Sequence, residues 1–547
     1  MPYKILKTIE PREYQKAIFE TCKGKNCLVI LPTGMGKTLI ALMLSISRLK
    51  ELPESRTLFL APTRPLAEQH FTYFKKHLPE LFATLELFTG KINAEKRKKL
   101  WQNAEIIFST PQCVANDLRN NLYDLKEVSL LIEDECHRCL KNYDYTYIAD
   151  KYKQQAKQQR ILGLTASPGA NKKTIKKISE NLGIEAIEVR TRESGDVSPY
   201  IQKLKFDIVK IPFPPEFDEI KTLLKKLCDK KVEELKNRKL LFQPATKKNI
   251  LELQKKIMTM ISTGNKNFNV FAGASACAQV IKLQYCLELL ETQTLSSLQR
   301  YMQDIFQQAE QGKSRAVKQL IKQASFNQAY IKTQELLAKK IENPKLAKLR
   351  ELIEEEMQGK IKRIIIFSQY RETVTRICKE LNSLPSINAR VFVGQLKKGE
   401  TGLSQKEQQQ IIRDFTLGKI NILVSTSIGE EGLDIPEVSA VIFYEPIPSA
   451  IRQIQRRGRT ARLKPGKLLV LMITGTRDEA YYWAAFHKEK KMYSAINGIK
   501  KELENNNKKG KLKSQKSEIS DDSQNSKRIL KSKETVGVLD KPQKTLF

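Results

Sequence analysis

Leu31-Pro-Thr-Gly-Met-Gly-Lys-Thr38 constrains this chain more than any other stretch. It follows the strand-like apolar run Asn26-Cys-Leu-Val-Ile-Leu31 and precedes the helix-like Leu39-Ile-Ala-Leu-Met-Leu44. In a strand–loop–helix of that order, the loop N–H groups and the helix N-terminus point at phosphate oxygens. Gly34 and Gly36 let the backbone approach, Lys37 reaches the β and γ phosphates, and Thr38 offers its hydroxyl to Mg²⁺. Pro32, Thr33 and Met35 complete the loop. The general pattern wants glycine where this chain has Leu31, so the strict form fails at its first position. ATP and Mg²⁺ are the expected cofactors.

The partner of such a loop is a strand that ends in acids. Val128-Ser-Leu-Leu-Ile132 runs into Glu133-Asp134-Glu135-Cys136-His137 about a hundred residues later. Asp134 is expected to hold Mg²⁺, and Glu135 to orient and deprotonate the attacking water. A third element is Gln455-Arg-Arg-Gly-Arg-Thr-Ala-Arg462. Arg459 and Arg462 are three apart, so a helix would place both on one face, where two guanidiniums suit a polyphosphate. Arg456 and Arg457 read as a basic patch for nucleic acid.

Composition points the same way. The 547 residues are too many for one core, so two or three domains are expected. Lys and Arg number 96 against 61 acidic residues, a formal net charge of +35. That excess favours a polyanionic partner, with an acidic membrane surface as the competing reading. No run of 18 apolar residues occurs and Met1-Pro-Tyr-Lys-Ile-Leu-Lys-Thr8 lacks the apolar core of a signal peptide, which favours a soluble, cytoplasmic protein without a membrane partner. Nine cysteines in no repeating framework suggest reduced thiols. Cys136-His-Arg-Cys139 lacks the second pair that structural zinc needs.

Residues 1–210 alternate short apolar strands with helical stretches, and residues 341–500 repeat the pattern, which implies two parallel sheets covered by helices. Residues 211–340 differ in kind. Apolar positions such as Leu223, Leu224 and Leu227, or Leu283, Leu287 and Leu290, recur at helical spacing, and residues 215–340 carry 22 basic against 12 acidic side chains. An all-helical insert is expected there. Residues 501–547 are rich in Lys, Ser and Asn and read as a basic disordered tail.

Read in order, the chain resembles a superfamily 2 helicase. Besides the three elements above it carries Ala61-Pro-Thr-Arg-Pro-Leu-Ala67, Thr89-Gly90, Ser109-Thr-Pro-Gln112, Thr165-Ala-Ser167, Ile366-Phe-Ser-Gln-Tyr-Arg371, Val393-Gly-Gln395 and Val424-Ser-Thr-Ser-Ile-Gly-Glu-Glu-Gly-Leu-Asp-Ile-Pro436. The Asp-Glu-Cys-His box and Arg12-Glu-Tyr-Gln15 resemble the branch that contains the RIG-I-like receptors, Dicer, FANCM and archaeal Hef. Arg190-Thr-Arg-Glu-Ser-Gly-Asp-Val-Ser-Pro-Tyr200 and Thr476-Arg-Asp-Glu-Ala-Tyr-Tyr-Trp483 are similar to the helicase half of Hef, over about residues 1–500.

The resemblance implies an α/β fold: two RecA-like lobes of the P-loop NTPase type, a thumb-like helical insert between them, and ATP in the cleft. It implies that Gln15 reads adenine and Arg12 packs on the base. Glu431, Gly432 and Asp434 would meet ribose and phosphate, and Lys37, Asp134, Glu135, Gln455, Arg459 and Arg462 would be the catalytic set. Thr165 and Ser167 would couple ATP state to strand grip. Thr63, Arg64, Gly90, Thr110, Gln369, Gly394 and Thr426 would contact the tracked strand, as hydroxyls, amides and glycines suit sequence-independent phosphate contacts.

The activity this implies is an ATP-dependent 3′–5′ DNA helicase or translocase that remodels forks and branched DNA, from an archaeal source. The nuclease signature of Hef, Gly-Glu-Arg-Lys, does not occur, so incision is expected to need a separate structure-specific nuclease. Alternatives are a translocase on double-stranded RNA and a clamp-bound fork scaffold. Gln543-Lys-Thr-Leu-Phe547 resembles a shortened sliding-clamp-binding motif in which Gln543, Leu546 and Phe547 would dock.

Overall fold

A computed structural model describes residues 6, 9–169, 171–264, 267–312, 314–358, 362–395, 402–429, 435–460 and 465–534, with side chains to residue 505. Its first sheet contains β1 (Cys27–Ile30), β2 (Arg56–Leu60), β3 (Leu85–Phe88), β4 (Ile106–Ser109), β5 (Val128–Asp134), β6 (Ile161–Thr165) and β7 (Ala186–Val189). All pairs are parallel, in the order β3-β4-β2-β5-β6-β1-β7. Helices α1 (Glu13–Gly24), α2 (Lys37–Glu51), α3 (Arg64–His77), α4 (Ala94–Asn103), α5 (Pro111–Arg119), α6 (Asp144–Gln155) and α7 (Lys172–Asn181) cover it. Successive strand residues feed opposite cores: Leu28 and Ile30 join one cluster, Cys27 and Val29 the other. Burial on both faces is why the central strands read as unbroken apolar runs.

The insert comprises α8 (Asp218–Asn237), α9 (Lys247–Ser262), α10 (Phe268–Thr292), α11 (Leu295–Glu310), α12 (Arg315–Ile321) and α13 (Ala324–Ala338). Only α10, among the described residues, is long and apolar enough to cross a membrane. It is also the centre of the insert, packed by α8, α9, α11 and α12.

The second sheet contains β8 (Leu204–Ile211), β9 (Ile364–Phe367), β10 (Ala389–Phe392), β11 (Ile422–Ser425), β12 (Ala440–Phe443) and β13 (Gly466–Ile473), again all parallel, in the order β10-β11-β9-β12-β13-β8. Its helices are α14 (Pro344–Met357), α15 (Arg371–Leu381), α16 (Gln405–Thr416), α17 (Ala450–Arg457) and α18 (Arg477–Glu534). The sequence reading closed the first lobe at residue 210. Instead β8 pairs with β13 from Leu204 opposite Gly466 to Ile211 opposite Ile473, so this segment belongs to the second lobe's sheet. The eight-residue ladder supplies the second sheet with an edge strand taken from before the insert.

That pairing fixes one end of the insert to the second lobe, and a buried polar node fixes the other. The Gln293 side-chain oxygen accepts from Ser368 (3.3 Å) and Thr373 (2.8 Å), while Asn343 donates to the Gln293 carbonyl (2.7 Å). Lys345 of α14 and Asp478 of α18 form an ion pair with both side chains fully buried, and Lys345 also donates to the Thr292 carbonyl at 3.0 Å. α18 then returns to the first lobe, where Met492, Ile496 and Ile499 enter its core. Packing of α18 is seen as far as Leu503, near the expected start of the tail, and Gln543, Leu546 and Phe547 lie outside the described residues.

Removing one member of a buried pair leaves a charge without its partner, at a cost of about 3–5 kcal/mol. Lys345→Met is expected to destabilise the second lobe by that amount in urea denaturation, and adding Asp478→Asn to restore most of it.

Candidate active site

β1 ends at Ile30 and α2 begins at Lys37, so the loop between them has the geometry its sequence requires. Gly34 and Gly36 adopt φ of 85° and 77°, in the left-handed region that favours glycine. A Cβ on Gly36 would lie 2.2 Å from the Gln15 Nε2. Gln15 Nε2 donates to the Met35 carbonyl (3.2 Å), as does the Tyr14 hydroxyl (2.9 Å), and Gln15 Oε1 accepts from the Arg12 N–H (2.9 Å). Gln15 therefore braces the phosphate loop from behind. The Arg12 guanidinium sits 5.1 Å from the centre of the Tyr200 ring. Lys37 Nζ donates to the loop's own Leu31 carbonyl at 3.0 Å.

Asp134 ends β5 two strands away, and its connection to the loop is a residue that the sequence reading missed. His70 of α3 lies with Nε2 2.9 Å from Asp134 Oδ2 and Nδ1 3.4 Å from the Thr38 hydroxyl, its ring against Phe59 at 4.4 Å. Burial pushes the Asp134 carboxyl up, but the His70 hydrogen bond and charge, with Lys37, bring it below the usual range. The imidazole thus links Thr38 to Asp134 through its two ring nitrogens, and the hydroxyl and carboxylate oxygens it orients are of the kind a hard cation takes. No spacing rule links His70 to residues 32 and 64 positions away.

Glu135 adopts a left-handed φ of 50°. Its Oε2 lies 3.2 Å from His137 Nδ1 and accepts from the Thr165 hydroxyl at 3.5 Å. The same hydroxyl receives the Ser167 N–H at 3.1 Å. The Ser167 hydroxyl donates to Met492 Sδ on α18 at 2.9 Å. Thus Glu135, His137, Thr165, Ser167 and the returning helix form one contact chain. Glu133 faces the other way, fully buried, and burial raises its carboxyl well above the ordinary range. Cys136 and Cys139 are buried thiols.

From the second lobe, α17 brings its C-terminus against the phosphate loop. A Cβ on Gly458 would lie 2.6 Å from Thr33 Cβ, so the lobes touch here at van der Waals range. Arg192 Nη2 donates to the Thr460 carbonyl at 3.2 Å. An inter-lobe cavity of about 410 Å³, lined by Pro32, Arg192, Arg457 and Gly458, flanks the loop without reaching Lys37. Gln455 and Arg459 are buried. α17 stops at Arg457 and Gly458 turns the chain, so Arg459 lies past the end of the helix on which a shared face was expected. Arg462, Glu431, Gly432 and Asp434 lie outside the described residues. The expected basic patch is also corrected. Arg456 is fully buried, its guanidinium 4.8 Å from the Phe367 ring and 5.5 Å from Phe443, and Arg457 pairs with Glu489 of α18.

The residues expected at the tracked strand all follow carboxyl ends of strands: Thr63 and Arg64 after β2, Gly90 after β3, Thr110 after β4, Gln369 after β9, Gly394 after β10 and Thr426 after β11. Sheet order separates them from the phosphate chemistry. β3, β4 and β2 form one half of the first sheet, whereas Lys37, Asp134, Glu135 and Thr165 follow or end β1, β5 and β6 in the other. Thr63 Oγ1 is buried with no hydrogen-bond partner among the described residues, whereas Arg64 pairs with Glu68 at 2.5 Å. Glu445, fully buried after β12, accepts from the Gln369 N–H at 2.5 Å and so sets the backbone there.

Residues 12–175 match the family described as DEAD/DEAH box helicase, residues 344–464 the helicase conserved C-terminal domain, and residues 216–342 "Putative ATP-dependent RNA helicase, helical bundle". A Methanocaldococcus jannaschii protein named "Putative ATP-dependent RNA helicase MJ1505" is 37% identical over 489 residues, 89% of this chain and 60% of that protein. An "ATP-dependent DNA helicase mph1" of Sclerotinia sclerotiorum is 31% identical over 498 residues, 86% of this chain and 40% of that protein. The crystal structure of the Pyrococcus furiosus Hef helicase domain is similar at a TM-score of 0.67 and 41% identity, covering 87% of this chain and 98% of that one. The chain thus spans 60% or less of these two curated relatives.

His70→Phe keeps the ring on Phe59 and removes both hydrogen bonds. Steady-state ATP turnover is expected to fall at least about tenfold if His70 orients Thr38 and Asp134. Glu445 gives a pH prediction. Burial pushes its carboxyl up to about 7 against the pull of Arg456 and Lys345. The folded state keeps this proton longer than the unfolded chain, so the contribution to stability is full below the ordinary carboxyl range and lost as pH rises through 7. Thermal melts should show Glu445→Gln flattening the pH dependence of stability between about pH 4.5 and 7.

Proposed function

Since the chain belongs to the superfamily 2 helicases of the Hef/FANCM branch and is an ATP-dependent helicase, we propose that it remodels forked and branched DNA, moving 3′ to 5′ along one strand. The observation that carries this reading is the division of the strand ends: phosphate chemistry at one half of the first sheet, hydroxyls and glycines suited to a nucleic-acid backbone at the other. Lys37 and the loop N–H groups bind the phosphates of ATP, and Gln15 and Arg12 receive the base. Thr38 and Asp134 hold Mg²⁺, which neutralises phosphate charge when bound. Glu135 takes the proton of the attacking water. Its contact chain through Thr165 to Ser167 carries the state of that carboxylate toward strand grip. Gln455, Arg459 and Arg462 complete the site from the second lobe, where guanidiniums meet charge developing on the γ-phosphate, and Glu431, Gly432 and Asp434 meet ribose and phosphate.

Thr63, Arg64, Gly90, Thr110, Gln369, Gly394 and Thr426 contact the strand, and the helical insert meets the branch. The boundaries of the units are 1–203, 212–342 for the insert, and 204–211 with 343–500 for the second lobe. Residues 501–547 form a basic tail through which Gln543, Leu546 and Phe547 engage a sliding clamp, and incision is left to a separate nuclease. Duplex RNA is the second reading, favoured by the names of the helical-bundle family and of the M. jannaschii relative.

The test is ATP turnover by the full chain against forked DNA, linear duplex DNA, single-stranded DNA and duplex RNA at fixed salt. Stimulation strongest with the fork, lost in Glu135→Gln while fork binding persists, is the expected outcome. Stimulation by duplex RNA alone moves the activity to RNA.

A further inference from the structure

A cleft of about 800 Å³ where the insert meets the second lobe is left unused by this mechanism. One wall is the segment after β9, Gln369 to Glu372, and the facing walls come from α9, α10 and α11. Tyr285 of α10 and Tyr301 of α11 meet edge to face at 4.5 Å, and Tyr285 meets Tyr370 at 5.7 Å. Such rings, if they only glued insert to lobe, would be enclosed. Here all three are partly buried, packed on the insert's core on one side and lining open space on the other.

The polar groups around the rings are of two kinds. Exposed Arg300 on α11 and Arg371 beside Gln369 are cationic, and Arg371 also donates to the Gly394 carbonyl at 3.2 Å. Asp304 and Glu372 are acceptors for amino groups. Tyr370 is fixed by donating to the buried Glu288 at 3.1 Å, which Lys247 pairs with at 2.6 Å. Aromatic faces beside phosphate-binding cations are what a nucleobase and its backbone require. Gln369, proposed above to contact the strand, lines the cleft, and Arg371 links it to Gly394.

We infer that this cleft is a binding site for one unpaired base of the strand held at Gln369, stacked on Tyr301, with a flanking phosphate on Arg300. The inference rests on the DNA-remodelling reading and deepens it. It places a base-sized checkpoint between the strand-gripping segment and the insert, so that unpaired DNA beside a branch is distinguished from continuous duplex. Stacking on an aromatic tolerates any base, so no sequence preference follows.

A single abasic residue, moved stepwise through the unpaired arm of a fork, tests this on the full chain by fluorescence anisotropy. Stacking of one base contributes about 1–3 kcal/mol, so one abasic position should weaken wild-type binding roughly 5- to 150-fold. Tyr301→Leu should lose a similar factor on the intact fork and nothing further on that abasic fork, with blunt-duplex affinity unchanged. Tyr301→Phe should behave as wild type. Arg300→Ala, at an exposed position that does not threaten folding, should weaken fork binding and lower the salt slope by about one. The inference is overturned if no abasic position matters, if the abasic and Tyr301→Leu losses multiply, or if Arg300→Ala leaves the slope unchanged. Fork-stimulated ATP turnover by the wild type is read separately. Its absence defeats the remodelling reading, whereas its presence with abasic-insensitive binding defeats only this site.

Discussion

Every functional loop in this protein depends on strands that all run in one direction within each sheet. Parallel strands need crossovers, and the crossovers return the chain to the same starting edge, so the loops leaving the carboxyl ends all gather on the opposite edge. Residues hundreds of positions apart become neighbours without any local sequence relation. Lys37, Asp134 and Thr165 are drawn together because β1, β6 and β5 are adjacent, not because their spacing is special.

Within that edge, short polar contacts tie neighbouring loops together. The Thr165 hydroxyl accepts the Ser167 N–H and lies 3.5 Å from Glu135, so one side chain stands between the acidic box and the residue that touches the returning helix. Gln15 acts similarly on the phosphate loop, where the missing Cβ of Gly36 leaves room for its amide. The insert behaves as an extension of the second lobe. β8, Gln293 and the Lys345–Asp478 pair join its two ends to that lobe, and no comparable element packing joins it to the first lobe among the described residues.

Elements buried on two faces were legible in the sequence, and those carried by an edge or by a distant partner were not. β1, β2, β4, β5 and β6 announce themselves as apolar runs. β3 and β7 are edge strands of four residues, each interrupted by a glutamate, and β8, Leu204-Lys-Phe-Asp-Ile-Val-Lys-Ile211, mixes charged and apolar residues on the rim of a sheet whose other strands lie more than 150 residues later. The phosphate loop and acidic box were readable because backbone geometry demands their residue types. His70 was not, since its importance comes from the fold bringing α3 within reach of Asp134 at the end of β5. Arg456 misled for the opposite reason: a charge in a basic run reads as surface, and only the fold reveals it between Phe367 and Phe443.

α18 gives the molecule a second attachment between its lobes. The chain passes from one lobe to the other at residues 202–203, and α18 comes back to bury Met492, Ile496 and Ile499 in the first. At about 1.5–3 kcal/mol for each such side chain, peeling it away costs about 4.5–9 kcal/mol, far above thermal energy. Two lobes on one flexible tether can twist and drift freely; two lobes held at two separated points behave as a hinged frame, with most relative motions forbidden and one swing left. The swing that remains is then set by the connectivity of the chain.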